Sequence, residues 1–266
     1  MLIPLVMTFW FSLQRYQLLS PQTRGFNGGV NFSYLMTDPA LWAALFNTIL
    51  LLSSVLIITV GLGLLMAVLF SQDFWGRSVA RILVISPFFV MPTVTALIWK
   101  NMLMHPVNGL FGFLGGLVGL PAIDWFGDWP MASIIIIVSW QWVPFALLVF
   151  LTALQSVDRQ QKEAAYLDGA GALVVFYHVV LPHLKRAIGI VVLIEMIFFL
   201  TIFAEIYVTT NGGPGLATTN LAFLIYIKAL LEFDIGVASA GGIIAIVLAN
   251  IVAFFLMRTV ARTMDE

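Results

Sequence analysis

Residues 163–182 read EAAYLDGAGALVVFYHVVLP and lie between two apolar runs, Ser133–Leu151 and Ala187–Val208. Bases bracket the stretch: Arg159 and Lys162 stand before it, Lys185 and Arg186 after it. Its composition predicts two short helices joined at a glycine turn. Asp158, with Gln161 three residues on, has nearly the spacing of a capping box. Helix formers run from Gln160 to Leu167, and Gly169 stands where a helix ends in a left-handed residue. A second helical stretch is expected from Leu173 to Val180, stopping at Pro182. Two physical readings stay open for this hairpin: an amphipathic linker resting on the inner leaflet, or a docking surface for another protein.

The surrounding chain sets the fold class. Of 266 residues, 61% are hydrophobic and 9% charged, with a mean hydropathy of +1.04. Soluble domains carry about a quarter charged residues, so this is an integral membrane protein. A span needs about 20 mostly apolar residues. The length therefore accommodates about six transmembrane helices in one all-α, polytopic domain covering 1–266. The net charge of −1 gives no attraction to polyanions such as nucleic acid. The absence of cysteine excludes disulfides, thiolate metal sites and thiol catalysis. His105, His178 and His183 are not spaced as a metal cluster, and His178 and His183 suit polar groups at the hairpin interface rather than ligands or catalysts.

In chain order, residues 1–13 are apolar but short for a span, and the expectation is the C-terminal part of a truncated first one. Further spans are expected at 41–70, 82–104, 131–151, 187–208 and 235–257. Gly61 and Gly63 permit close packing of the second. Pro87 and Pro92 predict that the third is bent or broken. Trp125 and Trp129 place the end of the loop before the fourth at the bilayer surface. Lys and Arg set orientation, because cytoplasmic connections carry the excess. The connections at 71–81 and 152–186 and the C-terminal tail hold Arg77, Arg81, Arg159, Lys162, Lys185, Arg186, Arg258 and Arg262. The opposite set holds Arg15, Arg24, Lys100 and Lys228. Eight against four places the hairpin in the cytoplasm, with both termini there if the first span is complete.

The order Glu163, Ala164, Ala165, then Gly169, then Val179, Leu181 and Pro182 resembles the cytoplasmic EAA loop of binding-protein-dependent ABC importer permeases. Val179 stands where that family usually has Ile. The resemblance extends over most of the chain, through ALFNTILLL (44–52), WQWVPFALL (140–148) and TNGGPGLAT (210–218). It points to the carbohydrate-uptake, maltose-permease-like branch, and residues 207–266 are most similar to permeases of sorbitol and mannitol importers. The resemblance implies a multi-pass subunit of a bacterial inner membrane, embedded in lipid and working with a second permease subunit, two ATPase subunits and an extracytoplasmic solute-binding protein. It implies a coupling loop at about 152–186, with Glu163 at the ATPase contact and Gly169 giving the turn. The solute would be a sugar or polyol. The chain has no G-x-x-x-x-G-K-[ST] phosphate loop. ATP and Mg²⁺ would therefore sit on the partner ATPase, with no cofactor or metal here, and the chain is not an enzyme by itself.

Candidate path residues follow from cost. A charge at the bilayer centre costs roughly 2.5–3.5 kcal/mol on insertion scales, which singles out Glu195 and Glu205. Glu195 suits the solute path or a helix–helix hydrogen bond; Glu205 suits the path or simple solvation near an outer end. Trp140, Gln141, Trp142, Asn47 and Asn250 offer stacking faces and amides to a polyhydroxylated solute, or else pack and bridge helices. Residues 207–215 are expected to shape the outer mouth. A proton-coupled carrier using Glu195 or Glu205 is the competing reading, and it leaves the hairpin motif unexplained.

Overall fold

The computed structural model describes residues 2–265, and the side chains of all of these except 159, 162, 255–257 and 259–265. The charges of Arg159, Lys162, Arg262, Asp265 and Glu266 lie outside the described side chains. The fold is helical: α1 (Leu2–Ser12), a two-stranded hairpin of β1 (Gln14–Arg15) and β2 (Gly25–Phe26), α2 (Val30–Thr37), α3 (Pro39–Ser71), α4 (Arg77–Ile85), α5 (Pro92–Leu97), α6 (Leu110–Leu117), α7 (Trp125–Asp128) and α8 (Pro130–Gln155) come first. They are followed by α9 (Arg159–Leu167), α10 (Ala172–Val175), α11 (Leu181–Phe199), α12 (Ala204–Thr209), α13 (Leu221–Tyr226) and α14 (Ile235–Asp265).

Among the described residues, α3, α8 and the first 20 residues of α14 are each long and apolar enough to cross a membrane. A fourth crossing arises if the broken pair 77–89 and 92–103 counts as one span. That pair is the predicted third span. It breaks at Val90–Met91, between its two prolines, with a local bend of 104°. Proline removes a backbone donor and its ring crowds the preceding turn, so the break sits where the sequence placed it. The fifth span differs from expectation. α11 begins at Leu181, absorbs Pro182 behind a wide π-type turn at Phe176–Val180, and carries Lys185, Arg186 and Glu195. It then stops at Phe199, and residues 200–203 interrupt it before α12. The second helix of the hairpin therefore does not end at Pro182. The wider winding before the ring accommodates its missing N–H.

Contacts divide the chain into two compact units. The first comprises Met1–Ser53, Pro92–Ile137 and Phe198–Val252. Its core joins Leu35, Leu41, Ala44, Leu221, Leu224, Val237 and Ala240, with a smaller cluster of Trp99, Met104 and Ile137. The second comprises Ser54–Met91, Val138–Ile197 and Ala253–Glu266. Its core runs from Ala67 and Phe70 through Ala146, Leu147, Phe150 and Leu154 to Val180, Leu184 and Val191. Gly63 belongs to this packing. A Cβ there would lie 2.6 Å from the Cβ of Ala146, whereas one on Gly61 would meet nothing within 4 Å. Of these two, only Gly63 is a packing glycine among the described residues of this chain.

Candidate coupling hairpin and transport-path residues

The hairpin belongs to the second unit. Asp158 caps α9, its Oδ1 accepting the Gln160 N–H at 2.8 Å. At the other end the Ala170 N–H reaches the Ala165 carbonyl and the Gly169 N–H reaches that of Tyr166, both at 3.0 Å. Gly169 has φ of +82°. These two bonds around a left-handed residue form a Schellman motif, so the helix end follows from the glycine that the sequence puts there.

Among the described side chains, none of α9 joins the second unit's core. Glu163, Ala164, Tyr166 and Leu167 are exposed, Leu167 by 88%, and Ala165 is half-buried. Leu173 and Tyr177, past the turn, are also exposed. Anchoring comes from the far limb, where Val175, Val180 and Leu184 are buried while Val179 and Leu181 are half-buried and Pro182 is exposed. His183 ties the base to α8 through a 2.9 Å hydrogen bond between its Nε2 and Ser156 Oγ, and His178 Nδ1 stays on its own helix, 3.0 Å from the Val174 carbonyl. Among the described residues no group of three His, Cys, Asp or Glu is placed to hold a metal ion. The arrangement is a hydrogen-bonded turn displaying an apolar, partly acidic face that the described residues do not cover.

The candidate path residues fall in both units. In the second, Glu195 is 0% exposed and accepts a 2.5 Å hydrogen bond from Thr59 Oγ1, while its Oε1 has no partner among the described residues. Gln141 donates from Nε2 to the Val90 carbonyl at 2.8 Å. That carbonyl is freed by the break in the third span. Trp142 lies edge-on to Phe88 and Phe145, with ring centres at 5.6 and 5.9 Å, and Trp140 is partly exposed.

In the first unit, Asn47 donates to the carbonyls of Leu216 and Thr219 at 2.8 and 3.0 Å. Asn250 is exposed and bonds to Ile246 on its own helix at 2.8 Å. Glu205, read above as path or solvated, is 4% exposed and sits in the first turn of α12. Solvation is thereby removed from its readings. It follows the interruption at 200–203, and α12 packs on α5 instead of ending in solvent.

Several polar residues that the sequence did not single out complete these arrangements. Lys100 Nζ donates to the carbonyls of Val208 and Thr209 at 3.0 and 2.8 Å, holding the end of α12. Asn220 caps α13 through Oδ1 and donates from Nδ2 to the Ile202 carbonyl at 2.6 Å. Thr48 accepts the Leu221 N–H at 2.9 Å. A lone lysine in an apolar run and an asparagine just before LAFL were the available signals. Gly212, with φ of +84°, turns the 210–218 loop so closely that a Cβ would lie 2.6 Å from the Phe223 ring.

Comparison with known proteins gives one consistent picture. Residues 59–266 match the model of the family described as binding-protein-dependent transport system inner membrane component. A probable ABC transporter permease protein, y4oQ, of Sinorhizobium fredii (strain NBRC 101917 / NGR234) is 35% identical over 240 residues, covering 90% of this chain and 77% of that protein. The trehalose/maltose transport system permease protein MalF of Thermococcus litoralis is 31% identical over 249 residues, covering 93% of this chain and 83% of its own. Among solved structures, a chain of a bacterial alginate ABC transporter, crystallised with its alginate pentasaccharide-bound periplasmic protein, superposes with a TM-score of 0.79. It is 22% identical and covers 96% of this chain and 85% of its own.

Proposed function

The chain belongs to the family of binding-protein-dependent transport system inner membrane components, and on that premise we propose that it is a permease subunit of an ATP-driven importer for a sugar or sugar alcohol. It is a transport subunit rather than an enzyme. The observation that carries the coupling role is the hairpin: α9 is capped at both ends, fixed by Gly169, and presents Glu163, Tyr166 and Leu167 outward. An exposed apolar face on a rigid support marks an interaction site. Its partner is an ATPase subunit that receives α9. Closure of an ATPase dimer draws two such hairpins together and opens the path outward, and hydrolysis returns it inward. A solute-binding protein delivers the solute, and a second permease subunit completes the path.

The base distribution supports the orientation. All eight Lys and Arg of one set belong to the second unit with the hairpin, and the four of the other set belong to the first. The hairpin end therefore faces the cytoplasm of a bacterial cell, and both termini lie there if the first span is complete. Carbohydrate as the solute class rests on the trehalose/maltose relative. A polyol rests on the resemblance of residues 207–266 to sorbitol and mannitol permeases. Trp140, Gln141, Trp142 and Glu195 in the second unit, and Asn47, Glu205 and Asn250 in the first, remain the proposed path residues.

The test is uptake into proteoliposomes holding the full complex. Uptake should require ATP and fall when Glu163 and Gly169 are both replaced at normal assembly of the membrane subunits. Uptake that continues without ATP, or that stops on collapse of the proton gradient and in Glu195→Gln, would overturn the reading in favour of a proton-coupled carrier. Binding of maltose, trehalose, sorbitol and mannitol to the partner binding protein identifies the solute.

A further inference from the structure

Residues 101–123, NMLMHPVNGLFGFLGGLVGLPAI, contain no Asp, Glu, Lys or Arg, although they form the loop between the third and fourth spans. Within it α6 is too short to cross a bilayer, and its outward residues are apolar. Val118 is 73% exposed, Leu117 68%, and Val107, Phe113 and Leu120 are similarly open. Together with Phe111, Leu114 and Ile123, several of these line an open groove of about 510 Å³.

The segment is built, not loose. Phe111 sits between Trp99 and Trp125, with ring centres at 6.1 and 5.9 Å. His105 Nδ1 accepts the Val107 and Asn108 N–H groups at 3.2 and 3.1 Å. A Cβ on Gly112 would collide with the Pro106 carbonyl. The C-terminus of α6 closes on itself. The Leu120 N–H reaches the Gly115 carbonyl at 2.9 Å, the Gly119 N–H reaches that of Gly116 at 3.2 Å, and Gly119 has φ of +75°. Two of the carbonyls that a helix end leaves open, those of Gly115 and Gly116, are thus taken up locally.

We propose that α6 and the turn after it are a lipid-embedded insertion, lying in the leaflet at the start of α8 with an acyl chain in the groove. Three features select lipid over a protein partner. A protein-binding patch has a polar, charged rim around its apolar centre, and 23 consecutive residues here supply no charge. A segment in hydrocarbon must pair its own backbone groups, and the turn that ends α6 takes up the carbonyls of Gly115 and Gly116. The segment also runs directly from the end of one span to the start of the next, with Trp125 and exposed Trp129 where aromatic residues mark the interface. This inference requires only that the chain spans a membrane and is independent of the solute and of ATPase coupling.

The chain has no cysteine, so single labels can be introduced without background from this chain, and the unsubstituted complex carried through the same labelling sets the background of its partners. Leu117→Cys and, separately, Leu120→Cys would carry a nitroxide in the full complex reconstituted in phospholipid vesicles, with Ser20→Cys as the aqueous control. Both loop positions should be several-fold more accessible to oxygen than to a water-soluble nickel chelate, and Ser20→Cys the reverse. A bimane label at either loop position should be quenched by brominated phospholipid. Preferential nickel access at both loop positions would overturn the proposal. So would protection from nickel without bromolipid quenching, because that pattern assigns the face to the second permease. Protection appearing only on addition of the solute-binding protein would assign it to that protein and equally overturn the proposal. If one substitution fails to assemble, the other carries the test.

Discussion

Gly169→Ala isolates the hairpin turn from everything else in the molecule. A Cβ at this position would meet nothing within 4 Å, so the substitution creates no clash and removes no contact. Its whole effect is conformational: the backbone sits at φ +82°, where an L-residue pays about 1–2 kcal/mol. The two hydrogen bonds that close the turn, from Ala170 to Ala165 and from Gly169 to Tyr166, exist only in that conformation. A penalty of this size lowers the equilibrium constant for the closed turn by a factor of about 5–30. α9 has nine residues, too few to be stable by themselves in water, so it has little reserve to absorb the loss. ATP-driven uptake and solute-stimulated ATP hydrolysis by the reconstituted complex should both fall, by up to that factor. Gly169→Asn, which tolerates the left-handed region, should recover most of the activity. Thermal unfolding of the membrane domain should not move in either variant. Full coupling in Gly169→Ala would refute the reasoning. Equal impairment of the Asn and Ala variants would refute it as well, because it would show that something other than backbone conformation matters there.

Gly63→Ala should destabilise by about 1–3 kcal/mol through overpacking against Ala146, while Gly61→Ala should be neutral or slightly stabilising; thermal unfolding in detergent separates them. Asn47→Leu unpairs the Leu216 and Thr219 carbonyls, at about 1–3 kcal/mol, and should speed proteolysis within 210–220. Thr59→Val leaves the buried Glu195 carboxyl without its hydroxyl partner and should lower thermal stability more than Glu195→Gln, which keeps a group able to bond to Thr59. Lys228, outside the spans, is drawn down by desolvation, but hydrogen bonds and charge from Glu232 and Asp38 outweigh this and raise its pKa. Its contribution to stability is therefore complete below the ordinary lysine value of 10.5 and is lost as pH rises through its higher folded value. Stability should be unchanged by this group from neutral pH to about 10 and should decline above it, a decline missing in Lys228→Met.

The helical membrane fold, the break at Pro87 and Pro92 and the turn at Gly169 were legible because each rests on local chemistry: run length, a missing donor, a left-handed residue. The buried face of α3 was not. A helix that is apolar all round gives no periodic signal of which side meets protein. In α3 the inward stripe includes Asn47, Thr48 and Thr59, whereas Trp42, Phe46, Ile57 and Leu65 face out. The end of α11 at Phe199 was hidden as well, since no proline or glycine marks it. It is made tolerable by the amide of Asn220, which reaches the Ile202 carbonyl from 18 residues away. A sequence-local reading has no access to that kind of compensation.

Those compensations also narrow the candidate path. Irregular backbone at membrane depth persists only where donors reach the carbonyls it frees. In this chain the donors are two of the proposed path residues, Gln141 for Val90 and Asn47 for Leu216 and Thr219, together with Asn220 for Ile202 and Lys100 for Val208 and Thr209. An amide held in this way cannot rotate toward a sugar hydroxyl without exposing a carbonyl, at about 1–3 kcal/mol. In the second unit the Oε1 atoms of Gln141 and Glu195 are both buried without a partner among the described residues. On the proposed path, the Gln141 oxygen would be an acceptor open to a hydroxyl donor. If Gln141 and Asn47 line the path as proposed, a break and a solute would compete for the same two amides, and their availability would depend on the backbone they hold.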